Sequence, residues 1–85
     1  MVNIDSFQAY IRDTSDTEIA RLCLDAAKQK AASADVKEPE EDNAHYELFI
    51  YALAAYWYDN RGLVDIGGDS QAVQNMINTF VLELR

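Results

Sequence analysis

The segment from Leu48 to Arg61 has apolar or aromatic residues on every side of the helix that its spacing predicts. A helix that lies between a core and water normally has a single apolar stripe. This segment has no polar side before Asp59, so a small domain must cover two sides of one helix. The first side contains Phe49, Leu53 and Trp57, and the second contains Tyr51, Ala55 and Tyr58. We therefore expect another copy or another protein to cover part of this surface.

The chain before this segment predicts a short first helix. Asp5 is placed to cap it, and it runs to about Arg12, after which Asp13 and Thr14 interrupt the pattern. The apolar face of this helix consists of Phe7, Tyr10 and Ile11.

A second helix begins at a capping-box pattern, Ser15-Asp16-Thr17-Glu18. In this pattern the Ser15 hydroxyl accepts from the Glu18 amide, and the Glu18 carboxylate reaches back to Ser15. The helix continues to about Ala32. Its apolar stripe is formed by Ile19, Leu22, Cys23, Ala26 and Ala27.

An acidic segment, residues 33–43, separates the second helix from the third. Pro39 disfavours a helical conformation at Glu38, so we expect a solvated loop here. Asp42 or Asn43 then caps the third helix, and acidic residues in its first turn suit the positive end of the helix dipole.

The third helix is expected to end at about Asn60, with Gly62 available as a left-handed stop. Residues 62–69 form a flexible connector, and Ser70 caps a fourth helix. The apolar positions of the fourth helix are Val73, Met76, Ile77, Phe80, Val81 and Leu84. This helix either closes the core or docks on a partner, and core closure is favoured because so small a domain needs it.

These elements predict an all-α fold, a small single-domain bundle of about four helices over residues 1–85. The chain has 49% hydrophobic residues with three Gly and one Pro, which is typical of a folded helical domain. A domain of this size buries only about 60–65% of the surface that its unfolded chain exposes, so partners would add stability.

The formal net charge is −8 and the isoelectric point is near 4.3. Binding to DNA phosphates requires clustered positive charge, so the composition argues against a DNA-gripping protein. An acidic surface can still line a passage along which DNA slides without sticking, or it can imitate a phosphate backbone. Both possibilities stay open at this point.

Three features of the sequence bear on the compartment of the protein: its longest apolar run, its first residues and its single cysteine. The longest apolar run, Leu48 to Tyr58, forms a helix of only about 16 Å, against roughly 30 Å of membrane hydrocarbon, so we expect no membrane span. The first six residues lack the pattern of a secretory signal. Cys23 is the single cysteine and cannot form an internal disulfide, so we expect a reducing compartment.

No constellation of residues predicts catalysis, a cofactor site or a metal site. Cys23 lies on an apolar stripe, and His45 is the only candidate base with nothing tying it to Cys23. The acidic residues within 38–42 lack the ligand pattern of a calcium loop. Residues 67–70 lack the lysine and spacing of a phosphate-binding loop. We predict that the chain is not an enzyme.

The candidate interface residues are Tyr51, Tyr56, Trp57, Tyr58 and Arg61. Aromatic rings and guanidinium groups bury much surface for few frozen torsions, which enriches them at interface hot spots. For Trp57, in register with Phe49 and Leu53, the core is the better interpretation. For Tyr51 and Tyr58, core and interface are equally expected. Arg61 either complements the helix dipole or forks onto a carboxylate of a neighbouring subunit.

The run Ala54-Ala55-Tyr56-Trp57-Tyr58-Asp59-Asn60-Arg61 resembles the head-to-tail connector family of tailed double-stranded DNA phages. Members are also called adaptor, head-completion or DNA-packaging proteins. Their pattern is a helical turn, an aspartate-rich break, a Leu-x-x-Ala-Ala helix, an acidic or variable loop, and an aromatic helix closing on Trp-Tyr-x-Asn-Arg. The corresponding pieces are Phe7 to Ile11, Asp13 to Asp16, Leu22 to Ala27, Asp35 to Asp42, and Trp57, Tyr58, Asn60 and Arg61.

The resemblance implies an all-helical subunit that forms a homo-oligomeric ring under the portal protein. It also implies a platform for a tail or stopper protein and an extended channel through which DNA passes without specific binding. The expected location is the head-tail junction of the virion, after assembly in the host cytoplasm.

Two other functions are compatible with the composition. One is a small acidic inhibitor that mimics DNA, and the other is a helical protein-interaction module with a different partner. The acidic residues are concentrated within 35–42 rather than spaced along a face like phosphates, so the mimic ranks below the connector.

Overall fold

A computed structural model describes residues 2–60, 65–68 and 70–83. Four helices follow one another in the chain: α1 (Ile4–Ile11), α2 (Thr17–Ser33), α3 (Ala44–Asp59) and α4 (Gln71–Glu83). No strand occurs within these described residues, so the prediction of a small all-α bundle is confirmed. The predicted stop at Gly62 lies outside the part of the chain that the structure describes.

The N-cap of the first helix is Asn3 and not the predicted Asp5. Asn3 has an extended backbone (φ −149°), and its side-chain oxygen accepts from the Ser6 amide at 2.8 Å. Asp5, the predicted cap, instead lies inside the first turn, where its carboxylate faces the positive end of the helix dipole. The prediction of Asp5 as the cap is wrong because Asn3 supplies the cap two residues earlier.

The second helix is capped by Asp16 and not by Ser15. The Asp16 carboxylate accepts from the Ile19 amide at 3.1 Å. The Ser15 hydroxyl and amide both donate to the Asp13 carboxylate, at 2.6 and 2.8 Å. The predicted capping box is therefore wrong by one residue, because Asp13 engages the hydroxyl that the box would have used.

Replacing Asp16 with alanine is expected to lower the free energy of unfolding by about 1 kcal/mol, because the cap of α2 is lost. Ser15→Ala is the matched control next to it, and its effect should stay within about 0.5 kcal/mol. Urea denaturation followed by circular dichroism measures both. A larger loss of unfolding free energy for Ser15→Ala than for Asp16→Ala would instead identify Ser15 as the cap.

The caps of the other two helices agree with the sequence. Asn43 accepts from the Tyr46 amide at 3.1 Å at the start of α3, and Asn43 was one of the two predicted caps. The Ser70 hydroxyl accepts from the Val73 amide at 3.2 Å at the start of α4. Both helices thus begin where the capping residues predict.

Helices α1 and α2 end in left-handed residues that are not glycine. Arg12 (φ 56°) and Asp35 (φ 64°) each hold this conformation. At the end of α2, the Asp35 amide donates to the Ala32 carbonyl and the Val36 amide to the Ala31 carbonyl, which is the Schellman pattern. The pattern turns Val36 into the core, where it is buried, so the predicted solvated loop has one apolar anchor.

The core lies mainly between α2 and α3. Small side chains on α2, Ala20, Cys23, Ala27 and Ala31, are fully buried. They let α3 approach closely, so its large residues Ile50, Leu53 and Trp57 are fully buried too. The predicted core position of Trp57 is confirmed.

Helix α4 closes the remaining side of the core. Val73 is fully buried, and Ile77 and Phe80 are nearly so. The Phe80 ring stacks on Phe49 with centroids 4.2 Å apart. The favoured expectation that α4 completes the core is therefore confirmed. None of the helices in the described ranges is long and apolar enough to cross a bilayer.

Candidate interaction surface

The predicted interface residues divide into two groups. Trp57 is fully buried, Tyr58 is 2% exposed and Tyr51 is 6% exposed. The chain encloses all three rings by itself, so Tyr51 and Tyr58 take the core position, which was one of their two equal alternatives. Tyr56 is half-buried, and Arg61 lies outside the described residues. A role of these residues in an interface stays a prediction.

Helix α1 covers the two tyrosines for which core and interface were equally expected. The fully buried Phe7 ring stacks on Tyr51 at 6.0 Å and meets Tyr58 edge-on at 6.4 Å. The Tyr58 hydroxyl donates to the Asp13 carboxylate at 3.0 Å, and Tyr51 accepts from the Asn3 amide at 3.3 Å. The apolar face of α1 was the available signal, but spacing alone does not tell which rings it meets.

Tyr56 joins the end of α3 to the start of α4. Its hydroxyl lies 3.3 Å from the Ser70 hydroxyl, which also caps α4. The Asn60 side chain donates to the Tyr56 carbonyl at 2.8 Å and satisfies one of the last carbonyls of α3. Tyr56 therefore links the end of α3 to the start of α4, and Asn60 closes the end of α3.

The outer side of α3 keeps an apolar strip that the other helices in the described residues leave partly uncovered. Leu48 is 59% exposed, and Ala52, Ala55 and Tyr56 are partly exposed at helical spacing after it. We call these four residues the α3 outer face. This strip is not the predicted second side of Tyr51, Ala55 and Tyr58, because Tyr51 and Tyr58 are buried and only Ala55 belongs to both sets.

A groove of about 440 Å³ runs between α3 and α4 beside this face. Its lining residues are His45, Leu48, Phe49, Ala52, Asn75, Met76, Thr79 and Phe80. We call it the α3–α4 groove. The Phe49–Phe80 stack contributes to its wall, and His45 stacks on Phe80 with centroids 5.1 Å apart. None of the lining residues is acidic, lysine or arginine, so the groove suits an apolar partner group.

A second exposed apolar residue lies on α2. Leu22 is 52% exposed, and its neighbours at helical spacing, Glu18, Asp25 and Gln29, are exposed as well. We call these four residues the α2 outer face. The sequence placed Leu22 on the apolar stripe of α2, and this is wrong because Ala20, Cys23, Leu24 and Ala27 form the buried side instead.

No group of three or more His, Cys, Asp or Glu side chains is placed to hold a metal ion in the described ranges. Cys23 is fully buried on the inner side of α2, as expected of a small core residue. His45 is exposed and stacks on Phe80.

The acidic loop affects one titratable group beneath it. Burial raises the pKa of the Tyr46 hydroxyl above its ordinary value of 10.0, and the negative charge of Glu38 raises it further. Glu38 also pairs with Lys28 at 3.6 Å, which ties the loop to α2. The neutral phenol is therefore favoured in the folded chain.

As the pH rises above 10, Tyr46 is expected to ionise first in the unfolded chain, while the folded chain retains the proton. The free energy of unfolding consequently falls with pH in this range, and this contribution is constant below it. Tyr46→Phe should show a shallower decline between about pH 10 and 11 in urea denaturation. Tyr10→Phe, on a ring that is 47% exposed, controls for loss of a hydroxyl. Identical slopes for Tyr46→Phe and the native chain would contradict the proton linkage.

Comparisons with protein-family models, curated proteins and solved structures find no match to this chain. Function follows from its surfaces, its charge and the order of its sequence motifs.

Proposed function

We propose that the chain is a structural subunit of a tailed double-stranded DNA phage or prophage, a ring adaptor between the portal and the tail. The observation that carries the proposal is the apolar α3 outer face beside the α3–α4 groove. An exposed apolar surface of this kind on a small domain marks a protein-protein contact. The order of the motifs resembles that of head-to-tail connectors, and this resemblance favours a ring between portal and tail as the assembly.

The aromatic motif that carries the resemblance has a structural task in this chain. Trp57 and Tyr58 fix α3 in the core, and Asn60 satisfies the end of that helix. The motif thereby holds α3 so that its other side stays outward. In the proposed adaptor the aromatic motif stabilises the fold of each subunit, and the α3 outer face contacts neighbouring proteins.

The charge supports a passage for DNA. The net charge is −8, and Lys37, Glu38, Glu40, Glu41 and Asp42 are all exposed in the loop before α3. Negative groups that face a channel repel phosphates, so DNA moves past without being held. The subunit would therefore extend the channel by shape and repulsion and would not bind specific bases.

A purified portal ring from the phage or prophage that encodes the chain provides the test. Mixed with the portal, the chain is expected to cosediment in several copies per ring and to add a layer at the tail-facing side in electron micrographs. DNA in the same mixture should stay unbound. A chain that remains in the unbound fraction would remove the proposal.

The DNA-mimic alternative has one observation in its favour, the exposed acidic loop. Against it, these acids lie in one short loop, and Glu38 is partly neutralised by Lys28. A mimic needs negative charges repeated along a surface at the spacing of phosphates. Competition with DNA for a basic host enzyme, without portal binding, would favour the mimic over the adaptor.

A further inference from the structure

The α3–α4 groove and the adjoining α3 outer face combine an apolar surface with acidic ends. The polar residues among the groove lining are His45, Asn75 and Thr79, and the remainder are apolar. Glu41 is exposed just before α3, and Asp59 is exposed in the last turn of α3. A complementary partner therefore brings apolar side chains for the groove and positive charges for its two ends.

The helices that form the groove do not compensate its negative charge. Neither α3 nor α4 contains a lysine or an arginine within its described range. The loop before α3, residues 37–42, has one lysine and four acidic residues. Among the four described helices, lysine and arginine occur only in α2, as Arg21, Lys28 and Lys30. The field at the groove is therefore negative, which favours a cationic segment and disfavours a phosphate group.

The length of the apolar strip matches a short helix. Leu48 and Asp59 lie on the same side of α3, because about three full turns separate them, and they are about 16 Å apart along its axis. Ala52, Ala55 and Tyr56 lie between them and are partly exposed. A bound helix of about three turns covers this distance, and positive residues at its two ends then lie near the acidic ends of the strip.

The chemistry of the groove favours a helix over an extended segment. An extended segment requires partners for its backbone amides and carbonyls, whereas a helix satisfies most of these groups itself. The groove offers few polar side chains, and the described residues contain no strand with an open edge to which an extended segment could add. A helix that lays its apolar side into a groove needs neither. Met76 in the lining is a flexible side chain that adapts to the shape of an incoming residue.

We propose that the α3–α4 groove binds a basic amphipathic helix of a partner protein. The apolar side chains of that helix enter the groove beside Leu48 and Met76, and its lysine or arginine residues meet the acidic ends near Glu41 and Asp59. The inference rests on the proposed function, since an adaptor binds portal and tail proteins, and it names the chemistry of the segment that is recognised.

A second copy of the chain is a poorer occupant of the groove. Helix α2 is the only described helix with lysine or arginine, but Glu18 and Asp25 are exposed beside its exposed Leu22. These carboxylates would approach the acidic ends of the groove, and like charges across an interface oppose association. The charges thus favour a partner that is more basic than this chain.

A pair of synthetic peptides of about 18 residues tests the proposal, with one additional turn at each end of the contact. The first has leucines at helical spacing on one side and lysines elsewhere, and the second has glutamate in place of every lysine. Fluorescence anisotropy of the labelled peptides measures Kd. We expect the lysine peptide to bind about tenfold or more tightly than the glutamate peptide, and its affinity to fall as salt is added. A lysine peptide with the same composition but scattered leucines should bind more weakly, because it has no apolar stripe.

Variants of the chain locate the contact. Leu48→Gln removes an exposed apolar side chain without adding charge and is expected to raise Kd for the lysine peptide about tenfold. Glu41→Gln combined with Asp59→Asn removes the acidic ends and should raise Kd about threefold to tenfold. Glu18→Gln combined with Asp25→Asn is the matched control, since it changes the net charge equally on α2, and it should alter Kd by less than about twofold.

Circular dichroism and melting temperature verify that each variant is folded. If Leu48→Gln does not fold, Thr79→Lys places a repelling charge in the same groove from the exposed side of α4. In nuclear magnetic resonance spectra of the isotope-labelled chain, the lysine peptide should shift signals along the α3 outer face and around Thr79.

Four results would overturn the proposal. They are equal binding of the lysine and glutamate peptides, equal affinity of Leu48→Gln and the native chain, signal shifts confined to α2, and a native dimer in light scattering that Leu48→Gln abolishes. The last result would assign the groove to a second copy.

Portal binding separates this inference from the proposed function. Peptide binding in the groove without cosedimentation with the portal supports the chemistry of the groove and removes the adaptor function. Equal cosedimentation of the native chain and Leu48→Gln with the portal, without peptide binding, overturns the groove assignment and leaves the adaptor function standing.

Discussion

Replacing Trp57 with alanine is expected to lower the free energy of unfolding by about 3–5 kcal/mol, because the fully buried indole leaves a cavity that the core fills only in part. The whole stability of an 85-residue domain is about 4–13 kcal/mol, so the variant lies close to the limit of folding. Trp57 is the only tryptophan, so circular dichroism in urea, not fluorescence, measures the change.

Leu48→Ala is the control on the same helix. Leu48 is 59% exposed, so its truncation should change the free energy of unfolding of the monomer by no more than about 0.5 kcal/mol. Equal losses in the two variants would mean that the assignment of inner and outer sides of α3 is wrong.

Replacing Val73 with aspartate is expected to cost about 3 kcal/mol or more. The change removes a fully buried aliphatic side chain and places an unpaired carboxylate where α4 meets the core. Ala72→Asp is the matched control, since residue 72 is the exposed neighbour in the same first turn and the dipole acts on both carboxylates alike.

Thermal and urea denaturation compare the two variants, and hydrogen exchange tells where protection is lost. For Val73→Asp we expect faster exchange throughout α4 and along Phe49, whose ring stacks on Phe80. Indistinguishable melting of Val73→Asp and Ala72→Asp would show that α4 contributes nothing to the core.

Local signals in the sequence account for most of the secondary structure. The periodicity and capping residues around Asn43 and Ser70 locate α3 and α4, because a cap is decided by residues two or three positions away. The ends of α1 and α2 also lie within one residue of the predicted Arg12 and Ala32. The left-handed conformation of Arg12 and Asp35 is not predictable in the same way, because no glycine marks either position.

The exposed site is only partly predictable. An excess of apolar surface on α3 follows from its composition, since no polar stripe interrupts it before Asp59. Which side stays uncovered depends on where the other helices pack. A helix with apolar residues all round has no periodic signal to choose between Tyr51, which α1 covers, and Leu48, which stays exposed.

Because Cys23 is fully buried, the rate at which its thiol reacts measures local opening of the core. A thiol reagent reaches this buried sulfur only when the core around α2 opens, so the rate of modification reports the opening equilibrium. Any association that favours the closed form slows that reaction in proportion to its strength. Assembly is thus readable from the centre of the subunit, with no label near a contact surface.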